Sequence, residues 1–255
     1  MRTCKVGNIE IGRGIPKICI PIVEKSRDEI IKYAQKIKKH NPDIVEWRAD
    51  FYEEVFNIED MLEVAKDLKK QLKNIALLFT IRRKNEGGNL DIESDKYLSL
   101  VRAMSKSKNI DIVDVDISSL RREDRHIIYE IKDSSKLLIS YHNFKHTPSV
   151  EAMEKILLNM NYYKPDIYKL AVMPLNKSDN INVLKLAVDA EQNLERPIVI
   201  ISMGKMGIAS RICGEIFSSS ISFASLEKGS APGQIEIDEL REVLEIIHKN
   251  YTDDI

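Results

Sequence analysis

Few cysteines, no net charge to speak of and no long apolar run mark this chain by what they exclude. Three cysteines in 255 residues, Cys4, Cys19 and Cys213, are odd in number and lack paired spacing. A disulfide framework or a structural zinc site is not expected, and a reducing cytoplasm is the natural compartment. Cys19 falls in an apolar run, where a buried thiol behaves as a small hydrophobe. The 39 basic and 40 acidic side chains nearly cancel, which removes the electrostatic case for nucleic acid. No apolar stretch approaches the roughly 20 residues of a membrane span. The start "MRTCKVGNIEIGRG" has no signal-peptide core and reads as a short hairpin turning at Gly7 and Asn8. No linker, low-complexity tract or composition break divides the chain, so 1–255 is expected to be a single domain.

What is present is repetition. Eight strand-like segments recur: "KICIPIV", "IVEWRAD", "ALLFTIR", "IDIVDVD", "KLLISYH", "IYKLAVM", "PIVIISM" and "ISFASL". Helical patterns lie between them. Ser26 with Glu29 forms a capping box before Ile30, Ala34 and Ile37 on one face, and Asn57 can cap the next helix. Thr147 before Pro148 reads as the cap of a third, and a last helix spans about 238–250. Eight alternations of near-equal length predict a (β/α)8 barrel, with an open doubly wound sheet as the alternative. The hairpin of residues 1–14 would cover the barrel's N-terminal end.

Barrel chemistry sits at the C-terminal ends of the strands, and period-two alternation says which residues share a face. Glu46, Arg48 and Asp50 then lie together, as do Thr80 with Arg82, Ser140 with His142 and Phe144, and Lys169 with Ala171 and Met173. Lys169 stands in the middle of "PDIYKLAVMP", otherwise a buried strand. Keeping an ammonium charged in such a place costs about 4–7 kcal/mol, against about 5–15 kcal/mol for a whole fold. Either it has a partner or the amine has a task, and a buried amine that loses its proton is a nucleophile toward carbonyl carbon. Glu46 with Arg48 could equally be a structural ion pair, and Asp114 and Asp116 read as partners of nearby basic groups. His142 and His146 have the spacing of a metal pair but lie on a strand end and loop, so no metal site is expected. The glycines of "RKNEGGN" and "SMGKMG" match no P-loop or dinucleotide fingerprint.

Together "EWRAD", "TIRRKNEGG", "SYHNF", "YKLAVMP", "ISMGKMGIASR" and "GSAPGQI" give a chain that resembles the type I 3-dehydroquinate dehydratases of the shikimate pathway. The resemblance implies a lyase that converts 3-dehydroquinate to 3-dehydroshikimate through a Schiff base on Lys169, without metal or organic cofactor. It implies His142 as general base and acid, with Glu86 orienting it. It further implies that Arg211, Ser230 and Gln234 hold the substrate carboxylate, that Glu46, Arg48 and Arg82 meet the ring hydroxyls, and that Met203 packs on the carbon ring. A homodimer is the family's common state. The loop "EKGSAPGQIE" fits a cover that closes over bound substrate. The rival readings are a class I aldolase using the same lysine, and a non-catalytic binding protein on an inherited barrel.

Overall fold

The computed structural model describes residues 2–227 and 231–251. A two-residue turn at Gly7 and Asn8 joins β1 (Cys4–Val6) to β2 (Ile9–Ile11), and Gly7 takes the positive φ of 53° that the turn demands. Eight parallel strands follow: β3 (Lys17–Ile22), β4 (Ile44–Arg48), β5 (Ala76–Thr80), β6 (Ile112–Asp116), β7 (Lys136–Asn143), β8 (Ile167–Val172), β9 (Ile198–Ser202) and β10 (Ile221–Ser225). All eight coincide with the segments read from sequence. A short β11 (Ile235–Glu236) pairs with the end of β10. The helices are α1 (Arg27–Lys38), α2 (Ile58–Leu72), α3 (Ser94–Ser105), α4 (Arg125–Ser134), α5 (Val150–Asn161), α6 (Lys177–Asn193), α7 (Ala209–Ile212) and α8 (Ile237–Asn250).

Neighbouring strands pair in chain order from β3 to β9, and β10 pairs with β3. The ring closes between β9 and β10 through one bridge, Ile198 to Ser219, reinforced by Ser220 N donating to the Ile198 carbonyl at 2.8 Å. The fold is therefore a (β/α)8 barrel, not an open sheet.

Alternation sorts the side chains into two apolar layers. Trp47, Phe79, Tyr168, Leu170 and Val172 face outward under the helices. Inside the ring, Cys19, Ile44, Leu78, Ile112, Leu138 and Ile167 meet Cys4, Val6 and Ile11 of the hairpin. Ile44, Ile112 and Ile167 open their strands, so the hairpin plugs the N-terminal end of the barrel. Ile11 is wholly buried there, a contribution of about 1.5–3 kcal/mol.

Local signals set the helix starts. Ser26 and Glu29 form the reciprocal capping box on α1, and the Asn57 side chain accepts from Asp60 N on α2. The third start differs from the sequence reading. Ser149, not Thr147, caps α5 by accepting from Ala152 N, while the Thr147 hydroxyl donates to the Met173 carbonyl. Thr147 thereby ties the end of β7 to the end of β8.

Candidate active site

The polar residues gather at the C-terminal mouth. Arg48, at the end of β4, lays a fork on Asp50 with two bonds of 2.8 Å. Asp50 in turn accepts from Arg82 N and Asn89 N, which stitches the end of β4 to the loop after β5. Glu46 accepts from the Thr80 hydroxyl at 3.0 Å. Arg82 reaches across two strands, donating to Ser140 at 2.8 Å, Asp114 at 2.5 Å and Glu86 at 3.1 Å. Arg83 points the other way and pairs with Asp116. The two aspartates of β6 are thus partners of basic groups.

The loop after β5 needs both glycines of "NEGG". A Cβ on Gly88 would lie 1.9 Å from the Arg82 carbonyl oxygen, and one on Gly87 would lie 2.4 Å from the Phe144 ring. Their absence lets Glu86 fold back under His142. Glu86 accepts from the His142 backbone N–H at 3.3 Å, and its Oε2 stands 3.3 Å from His142 Nδ1. Phe144 stacks on the imidazole with ring planes 18° apart. The His142 side chain is 8% exposed. Burial, then Arg82, Lys169 and Arg48, hold its imidazolium well below the usual histidine range.

Lys169 sits one strand over, in register with Ser140 and two residues short of the level of His142. It is 5% exposed. Its Nζ lies 3.8 Å from Glu46 and 4.1 Å from the centre of the Phe223 ring. Burial lowers its pKa from the ordinary 10.5, while Glu46 and Asp114 oppose the shift. Glu46 is shared with Thr80, so it is not a dedicated counter-ion.

Across the mouth, α7 carries Arg211, 2% exposed. Among the described residues its two terminal nitrogens meet carbonyls, Pro232 at 3.0 Å and Phe223 at 3.4 Å, and its Nε meets no partner. No acidic side chain among the described residues pairs with it. Burial alone pulls its pKa down to about 10. A buried guanidinium left open is costly unless an anion arrives to complete it.

An open pocket lies between these groups. Glu46, Arg48, Arg82, His142, Lys169, Met203, Arg211 and Gln234 all line it. Glu86 stands behind His142, buried. Ser230, like Lys228 and Gly229 of the expected cover, lies outside the described residues. Among the described residues lining the mouth none comes from β3, in keeping with its apolar end. His146 is exposed in the loop after β7.

The sequence reading assigned no role to Phe223, Ala171 or Ile201, which also line the space. The alternation used for β4 to β8 would have found Phe223 had it been carried into β10. Alternation already puts Arg48 and Asp50 on one face, and Asp116 reads as the partner of a basic group; that Arg83 is that partner while Arg82 turns inward has no comparable signal, because it depends on where the loop turns.

A family model described as Type I 3-dehydroquinase matches residues 18–251. The chain belongs to the type I 3-dehydroquinase family. It is 40% identical to the 3-dehydroquinate dehydratase of Clostridium botulinum over 98% of this chain and 99% of that one. The enzyme of the same name from Bacillus subtilis is 34% identical over 98% of this chain and 99% of that one. Among solved structures, the type I 3-dehydroquinate dehydratase of Clostridium difficile superposes with a TM-score of 0.93 at 39% identity, covering 98% of this chain and 99% of that one. The enzyme from Geobacillus kaustophilus gives a TM-score of 0.95 at 32% identity, over 99% and 100% of the two chains. As a 3-dehydroquinase-family member the chain is an enzyme, a hydro-lyase. No helix among the described residues is long and apolar enough to cross a membrane.

Proposed function

We propose that the protein dehydrates 3-dehydroquinate to 3-dehydroshikimate through an imine on Lys169, as the third step of the shikimate pathway to the aromatic amino acids. The observation that carries this reading is a buried lysine, destabilised as a cation by its surroundings, opening into the same space as His142. The solved Clostridium difficile relative is described with covalently modified comenic acid, which supports covalent chemistry in this family.

Neutral Lys169 Nζ adds to the ketone carbon, and with one proton taken from solvent, returned when the amine is freed, that oxygen leaves as water to give a protonated imine. The iminium draws electrons from the neighbouring carbon, whose proton passes to His142. The resulting enamine expels the hydroxyl, which leaves with the proton from His142 as a second water. One water then adds to the iminium and frees both product and lysine, so the balance is loss of one water. No electron leaves or enters, so the residues named suffice without a cofactor.

Arg211 is open for the substrate carboxylate, with Gln234 beside it and Ser230 completing the set. Glu46, Arg48 and Arg82 bind the ring hydroxyls, and Met203 covers the carbon ring. The enzyme acts as a homodimer in the cytoplasm.

Borohydride reduction in the presence of 3-dehydroquinate, followed by peptide mass analysis, tests the covalent step. The expected result is a reduced adduct on Lys169, absent in Lys169→Ala. Formation of 3-dehydroshikimate without any such adduct would show that the lysine is not the nucleophile.

A further inference from the structure

Lys169 reaches across the barrel. It stands on β8, on the far side of the ring from β4, yet its Nζ lies 3.8 Å from Glu46 Oε1. That separation is too long for a hydrogen bond, which between nitrogen and oxygen falls at about 2.7–3.2 Å. Both side chains are nearly out of water, 6% and 4% exposed. A buried ammonium and a buried carboxylate this near gain by closing into a direct pair. Here they stop short of one.

The same Oε1 accepts from the Thr80 hydroxyl at 3.0 Å. Thr80 is wholly buried on β5, the strand beside β4. In register it lies opposite Arg48, one inward-facing position nearer the mouth than Glu46. Its bond ties the carboxylate to the β4–β5 wall, while the lysine approaches from across the barrel. The other acid that acts on Lys169 is already committed. Asp114 accepts from Arg82 at 2.5 Å and from the Ser140 hydroxyl at 2.6 Å.

We propose that Thr80 is a positioning residue for the reaction: its hydroxyl keeps the Glu46 carboxylate on its own wall and out of direct bonding with Lys169, which leaves the amine free to lose its proton and attack a carbonyl. The proposal rests on the reading above, in which Lys169 is the nucleophile. Among the described residues, Cys19 of β3, Glu46 and Arg48 of β4, Arg82 after β5, Asp114 of β6, His142 of β7 and Arg211 of α7 face the amine or share its pocket. Burial comes first in lowering the pKa of Lys169, and Glu46 is the strongest group opposing it. Where Glu46 sits therefore bears directly on how easily the ammonium gives up its proton. Without the Thr80 hydroxyl, Oε1 would lose a donor in a dry site, and Lys169 stands 3.8 Å away to replace it.

A plainer role for Thr80 is that of a buried hydroxyl that merely finds an acceptor. That role predicts a loss of stability in Thr80→Val but no change in how Lys169 titrates.

Carbon-13 NMR of the substrate-free enzyme, with its lysines labelled at Cε, separates the two. The Lys169 signal is the one missing from Lys169→Ala, and its shift against pH gives the midpoint of the amine. Thr80→Val, which keeps the branched shape and removes the hydroxyl, is expected to raise that midpoint by about one pH unit. Thr80→Ser, which keeps the hydroxyl, is expected to titrate with the wild type. In turnover, Thr80→Val should lose about tenfold in kcat at neutral pH, the fall in neutral amine that one such unit brings, and should recover as the pH is raised. A Thr80→Val midpoint at or below that of the wild type overturns the proposal, as does a Thr80→Ser midpoint raised as far as that of Thr80→Val, or a rate loss that is the same at every pH. Should Thr80→Val fail to fold, Thr80→Ala removes the same hydroxyl and is read in the same way. No substrate enters the NMR measurement, so a missing borohydride adduct on Lys169 and an unmoved midpoint are separate failures.

Discussion

Lys169 Nζ stands 4.1 Å above the centre of the Phe223 ring. The ring face attracts a cation and not a neutral amine, so it favours the ammonium form and, on the proposed mechanism, the iminium that replaces it. Phe223→Leu should keep the fold and lower kcat by roughly 2- to 30-fold, the rate equivalent of about 0.5–2 kcal/mol. Steady-state kinetics with circular dichroism of the variant would check it. An unchanged kcat would mean that the ring is mere packing.

Arg211 sets binding against stability. Its guanidinium is buried with Nε unpartnered among the described residues, so it bears a desolvation cost that, on the proposed reading, the substrate carboxylate relieves. Arg211→Met should raise the urea midpoint, with a gain of about 1 kcal/mol or more. The same change should lower kcat/KM by roughly 10- to 150-fold, for a lost charged hydrogen-bond pair of about 1.5–3 kcal/mol. A variant less stable than wild type would refute this account of the site.

Imine formation needs the neutral amine, and burial lowers the pKa of Lys169 below 10.5. The trapping rate should therefore rise with pH and level off with a midpoint below that value. Stopped reduction at a series of pH values gives the curve. A midpoint at or above 10.5 would show that Glu46 and Asp114 outweigh burial.

Glu86 gives a linkage prediction of definite sign. Its folded pKa is raised above the ordinary 4.5. The folded state therefore holds the proton after the unfolded chain has released it, and the stability it contributes is lost as pH climbs from 4.5 through the folded value. Glu86→Gln cannot ionise. Its stability relative to wild type should rise between pH 5 and 7 in urea titrations, and a constant difference across that range would contradict the raised value.

The strands were legible as short, mostly apolar segments recurring at near-equal spacing. Lys169 stood out because Ile167 and Leu170 around it left no polar reason for an ammonium. Caps were legible where one candidate existed, as at Ser26 and Asn57, and misread at "TPS", where Thr147 and Ser149 compete and only the contact of Thr147 with the Met173 carbonyl separates them. The electrostatic wiring was largely hidden. Whether Arg82 or Arg83 turns inward depends on Asp50 fixing Arg82 N and on Asp116 collecting Arg83, contacts between residues 32 and 33 positions apart.

The plug made by Cys4, Val6 and Ile11 at the base of the barrel leaves the mouth as the route for traffic. Reactant, expelled water and product then share one doorway and must take turns. A compound that stays bonded to Lys169 blocks all three at once, and no back exit relieves it through a base stoppered by the hairpin.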